Sequence, residues 1–138
     1  RQGENARWIT SVCTGAFLIG EEGMIRGKKE KKYWGYTNLM ANYGAEYVEN
    51  RIVRDGNLMT AGGVTSGIDF ALSLIAEIHD EDMARSIQLA CEYDPDPPFE
   101  GGHPSRSPEK IVRNLRAKVY DAAAARMENA VLANPAPQ

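Results

Sequence analysis

The sequence predicts an α/β protein organised around a parallel sheet, and two stretches carry that prediction. Residues Trp8 to Val12 are a short run of strand formers that ends in Cys13-Thr14-Gly15 and passes into AFLIGEEG, which has helical character. A buried strand feeding a sharp turn and then a helix is the unit repeated in parallel α/β sheets. The second stretch is Ile52-Val53-Arg54, Asp55-Gly56 and Asn57-Leu58-Met59-Thr60. It predicts a hairpin, because Asp-Gly tolerates the positive φ angles of a two-residue turn. Ala61-Gly62-Gly63 then forms a loop that opens another helix.

The remaining elements follow in order. Gly23 or Gly27 closes the first helical region. The run KKEKK, residues 28 to 32, reads as a solvated edge. Trp34, Thr37, Met40 and Tyr43 recur at about helical spacing, with Gly44 as C-cap, and Ala45 to Val48 is a short strand. After the hairpin, Val64, Ile68, Leu72 and Ile75 share a helix face, with Ala71 and Ala76 beside them. His79-Asp80-Glu81-Asp82 interrupts that helix, and Met83 to Leu89 resumes it. Residues 94 to 108 hold five of the seven prolines and form a loop in which Phe99 offers an apolar anchor. Ser107-Pro108-Glu109 predicts a helix start, with Ser as N-cap and Pro at the first helical position. Ile111, Leu115, Val119 and Ala122 give that helix a buried stripe.

Composition narrows the function. The 138 residues carry a net charge of −3, so no polycationic surface favours nucleic acid through counterion release. The charge is uneven, +2 over residues 1 to 60 and −5 over the rest, which is too mild to name a partner. No apolar stretch approaches the roughly 20 residues needed to cross a bilayer, and the N-terminus lacks a signal-peptide pattern; a cytoplasmic protein with no membrane partner is expected. Two cysteines, Cys13 and Cys91, are too few for a disulfide scaffold.

The chemistry concentrates at Cys13. A thiol between a buried strand and a helix faces outward-pointing backbone N–H groups and the positive end of the helix dipole, both of which favour thiolate. Position alone leaves two readings open, a nucleophile on a strained strand-to-helix turn or a small buried apolar residue. The chain's two histidines, His79 and His103, lie far from Cys13 in sequence and read as a helix-end and a loop residue. Cys91 reads as a structural thiol. Cys91, His103 and the acids of residues 80 to 82 have no ligand spacing, so no metal is expected. The glycines at 62 and 63 lack a phosphate-loop pattern, and close backbone packing explains them better.

Four blocks together resemble the ThiJ/PfpI superfamily and, within it, the isocyanide hydratase branch, typified by enzymes acting on cyclohexyl isocyanide. They are Ser11-Val12-Cys13-Thr14-Gly15-Ala16, Arg54-Asp55-Gly56-Asn57-Leu58, the run from Thr60 to Phe70, and the run from Glu92 to Phe99. The resemblance implies a flavodoxin-like (class I glutamine amidotransferase-like) parallel sheet with helices on both faces. It makes residues 1–132 the C-terminal portion of one domain and 133–138 a disordered tail. It implies a homodimer with its site near the interface and Cys13 as the catalytic nucleophile at an elbow. The implied reaction adds water to an isocyanide to give an N-substituted formamide through a thioimidate on Cys13, with no cofactor and no metal.

On the same resemblance Thr14, Gly15 and Val64 position substrate or water, and Asp69 supports the helix start or dimer contacts. Where relatives carry Thr-Thr-His-Trp, this chain reads Lys31-Lys32-Tyr33-Trp34, so the histidine's role is lost or passes to Tyr33. The family's general acid belongs to an N-terminal portion, and no carboxylate of this chain matches it. Glu21 and Glu22 lie on the helix after the elbow and point elsewhere. Two other classes share the first three blocks or the thiol: the non-catalytic ligand-sensing domain of an AraC-type transcriptional regulator, and a cysteine redox sensor.

Overall fold

A computed structural model describes residues 2–31 and 33–133, with only the backbone of Thr37, Asn38 and Met40. Strands and helices follow one another along the chain. Strand β1 (Ile9–Val12) leads into α1 (Gly15–Glu21), and β2 (Lys29–Glu30) precedes a 3₁₀-wound stretch over Trp34–Tyr43. β3 (Glu46–Tyr47), β4 (Ile52–Asp55) and β5 (Leu58–Ala61) follow, then α2 (Ser66–Ile78) and α3 (Glu81–Ala90). A last helical run comprises α4 (Glu109–Leu115), a π-helical turn over Arg116–Tyr120 and α5 (Asp121–Ala133).

The main sheet has the order β1-β5-β4. β1 and β5 are parallel, from Ile9 opposite Leu58 to Val12 opposite Ala61, and β4 is an antiparallel edge formed by the hairpin. All four residues of β5 are buried, as a strand covered on both faces requires. Its alternation sorts two cores. Leu58 joins Ala16, Phe17, Ile25, Leu39, Tyr43 and Val131 on one face, while Met59 and Ala61 meet Phe70 on the other. Helices therefore cover both faces of a sheet of the flavodoxin-like α/β class. Among the described residues no helix is long and apolar enough to cross a membrane.

Several sequence expectations are corrected. Asp55 pairs with Leu58, so the hairpin loop is Gly56-Asn57, with Gly56 at φ 62° as a II′ turn requires of its first central residue. The 28–32 run is not a solvated edge: β2 pairs in parallel with β3, Glu30 is buried and Lys31 is only 5% exposed. Its stem can lie along apolar surface while its ammonium reaches the Tyr47 hydroxyl at 3.2 Å. Lys32 lies outside the described residues. Gly44 does cap the 3₁₀ stretch at φ 69°, and Tyr43 is buried; the side chains of Thr37 and Met40 lie outside the description.

The helix faces also differ. α2 buries Ser66 and Phe70 and packs Leu74 against the core, a stripe rotated from the expected Val64-Ile68-Leu72-Ile75 face, because the core-facing angle is set by where β5 ends. Ile111, Leu115 and Val119 are exposed, and that helical run turns Tyr120, Met127 and Val131 toward the protein instead. Phe99 is 84% exposed and anchors nothing. The N-cap of α4 is Pro108, while the Ser107 hydroxyl donates to the Gly101 carbonyl. Ala133 belongs to α5, and residues 134–138 of the expected tail lie outside the described residues.

Candidate active site

The C-terminal ends of the adjacent parallel strands β1 and β5 place Cys13 and the Gly62-Gly63-Val64 turn side by side in the fold. In open α/β sheets this is the edge at which ligands bind. Cys13 adopts φ 59°, a left-handed conformation that costs a non-glycine residue about 1–3 kcal/mol. Its backbone N–H donates to the Ala61 carbonyl at 3.0 Å, so the neighbouring strand holds the strained residue in place. Thr14 is the N-cap of α1 and is exposed; its hydroxyl makes no capping bond. Gly15 is half-buried, and a Cβ there would lie 3.5 Å from the Ser11 Cβ.

A cleft of about 740 Å³ opens beside the β5–α2 turn. Gly62, Gly63, Val64, Thr65 and Ser66 form one side, and Lys31, Tyr33, Trp34, Glu49, Arg51, His103 and Arg106 contribute much of the rest. Val64 is 84% exposed and faces this space. The structure thus puts Val64 on the cleft; Cys13, Thr14 and Gly15 lie at the neighbouring elbow and are not among its lining residues. Tyr33 lies on the cleft against the glycine turn, where a Cβ on Gly63 would come within 3.2 Å of its ring. Burial first, then the hydrogen bond and charge of Tyr120, push the Tyr33 phenol up to about 12, with Cys13's charge adding to the rise and Trp34 opposing it.

Tyr33 is fixed by aromatic neighbours. Its hydroxyl lies 2.6 Å from that of Tyr120, and its ring stands 5.5 Å from Tyr120, 5.8 Å from Trp34 and 6.3 Å from Tyr36 between centroids. The sequence reading placed Tyr33 only through its relatives and missed Tyr120, Arg51 and the cleft position of His103. These residues come from four separate segments, and no local pattern ties them. His103 holds Ser105 Oγ at 2.8 Å through Nδ1 and approaches Glu49 at 3.4 Å through Nε2.

The other expected participants lie elsewhere. His79 caps the end of α2 and is exposed. Cys91, read as a structural thiol, is a free and exposed one at the end of α3. Glu21 accepts the Tyr43 hydroxyl at 2.6 Å; burial first, then this bond, holds that phenol above its usual range. Asp69 accepts from Arg51 and, at 2.5 Å, from the Tyr93 hydroxyl, bracing the first turn of α2. Among the described residues no group of three or more His, Cys, Asp or Glu side chains is placed to hold a metal.

Comparison with known proteins bears on this geometry. Residues 1–77 match the sequence profile of the DJ-1/PfpI family. The chain is 45% identical over 117 residues to an isonitrile hydratase of Pseudomonas putida, covering 85% of this chain and 51% of that protein. It is 26% identical over 98 residues to the DJ-1 homolog A protein of Arabidopsis thaliana, covering 70% of this chain and 25% of that protein. Among solved structures, a ThiJ/PfpI family protein from Pseudomonas syringae superposes with a TM-score of 0.83 at 40% identity, over 89% of this chain and 52% of that one. The chain therefore spans about half the length of the hydratase and of that solved relative.

Proposed function

The chain belongs to the DJ-1/PfpI family, and on that premise we propose that it carries the nucleophile of an isocyanide hydratase. The observation that supports this reading most is the strained Cys13 between β1 and α1 in a chain 45% identical to an isonitrile hydratase. A non-glycine residue persists at positive φ only when its surroundings over-determine it, and such residues cluster at functional sites.

The reaction suits a soft nucleophile. Cys13 as thiolate attacks the terminal carbon of R–N≡C, and that carbon takes up a proton, giving the thioimidate R–N=CH–S-Cys13. Water adds to the carbon while nitrogen gains a proton. The C–S bond then breaks, releasing thiolate, a proton and the formamide R–NH–CHO. The released proton replaces the one taken up by carbon, so the chemistry asks for no metal or organic cofactor. Thr14 and Gly15, on the turn after the nucleophile, and Val64, on the cleft wall, position substrate and water in this reading. The working unit is a homodimer.

The test is direct. The full protein incubated with cyclohexyl isocyanide is expected to produce N-cyclohexylformamide, followed by chromatography, with the mass of the thioimidate on Cys13. Cys13→Ala should lose about 10³-fold or more of the rate. Binding without turnover by the intact protein would overturn the proposal.

A further inference from the structure

Tyr33 stands where three independent features of the fold converge. It lines the cleft with Gly63 and Val64, its hydroxyl contacts that of Tyr120 at 2.6 Å, and its ring lies against Gly63, two residues past the Ala61 carbonyl that accepts the Cys13 N–H. Two glycines make the seat. A Cβ on Gly63 would lie 3.2 Å from the Tyr33 ring, and one on Gly35 would lie 3.0 Å from the Tyr120 ring. Tyr120 closes the π-helical turn at Arg116–Tyr120. Such turns are rare and occur frequently at functional sites.

A pair of hydroxyls shares one hydrogen bond and has two protons, so one proton remains to donate elsewhere. Either hydroxyl can be the donor; where Tyr120 donates to Tyr33, the remaining proton is that of Tyr33, which lines the cleft. Resting on the hydratase reading, we propose that Tyr33, held by Tyr120, donates a hydrogen bond to the substrate nitrogen while water adds to the Cys13 thioimidate. During thiolate attack the new bond and the proton both go to carbon, and nitrogen gains little charge. During water addition the oxygen bonds to carbon, the C=N π electrons move onto nitrogen, and the proton lost by water goes to nitrogen. A fixed donor at that nitrogen stabilises charge that exists only in this second step. Tyr33 keeps its proton throughout, in accord with a phenol that burial pushes up from its usual range.

The step assigned to Tyr33 fixes the test. In the full protein with cyclohexyl isocyanide, Tyr33→Phe should lower kcat by about 10²-fold and lower KM with it, leaving kcat/KM within about threefold. Intact-mass measurement should show the thioimidate accumulating on Cys13. Tyr120→Phe should do the same to a smaller degree. A purely structural role would lower adduct formation and turnover together, and that result, or an unchanged kcat, overturns the inference. If circular dichroism shows Tyr33→Phe misfolded, Tyr120→Phe decides by the same readouts. Absence of both formamide and adduct in the wild-type protein removes the hydratase reading and this inference with it. Equal turnover in wild type and Tyr33→Phe removes the inference alone.

Discussion

Residues 9–70 and residues 71–133 differ in how many of their apolar side chains they bury. The first region builds both cores, and beyond Phe70 only Ala84 and Val131 are buried apolar residues among those described. The second region is helical apart from the loop between α3 and α4, yet Leu89, Ile111, Leu115, Val119 and Leu132 remain exposed. Strand β5 is enclosed on both faces within one chain, whereas helices α3 to α5 present apolar side chains that the described residues leave exposed. Periodicity is equally clear in both regions. What differs is whether a partner surface lies within reach, and the strained elbow sits in the region where it does.

Substitutions can break or sharpen that contrast. The largest effect is expected at Leu58, fully buried at the centre of the sheet: Leu58→Ala should cost about 2–5 kcal/mol through lost burial and a residual cavity, measured by urea unfolding. Next is Gly63→Ala, whose new Cβ would crowd the Tyr33 ring; about 1–3 kcal/mol is expected from overpacking, with a matching fall in isocyanide turnover. A loss in stability with turnover intact would separate Tyr33's packing from its chemistry. In the helical region Asp80 caps α3 by accepting the Met83 N–H at 2.8 Å, and Asp80→Ala should cost about 1 kcal/mol in thermal unfolding. The smallest effect is expected at Leu115. Its exposed side chain predicts a change within about 0.5 kcal/mol on Leu115→Ala, and a multi-kcal/mol loss in the same urea series would show that its face is covered in solution.

Local features were readable from the chain because they depend on neighbours in sequence. The strand-elbow-helix unit at Cys13, the hairpin near Gly56 and the cap at Gly44 all require particular residues at particular φ angles. The hairpin was displaced by one residue because its register is decided by pairing between β4 and β5. The charged 28–32 run misleads because charge predicts solvation only where nothing packs on the side chains, and here Glu30 and Lys31 are buried as the run lies against β5, the Lys31 N–H donating to the Thr60 hydroxyl. At the candidate site, Cys13 was legible as a thiol on a turn. The Tyr33–Tyr120 contact spans 87 residues and leaves no local trace.

The sequence by itself determined the α/β class, the thiol at the end of β1, and the family through blocks that recur in its relatives. These are properties of short segments, in which steric limits on φ and the spacing of apolar residues act directly. Only the tertiary structure decided which helix faces are buried, that Lys31 is packed away, and that Tyr33 reaches Tyr120 beside the cleft. Those outcomes depend on how distant segments meet, through close-packing that no window of sequence contains. Gly63 shows the two levels joined: the sequence supplies a residue without a side chain, and the fold puts the Tyr33 ring where that side chain would have been.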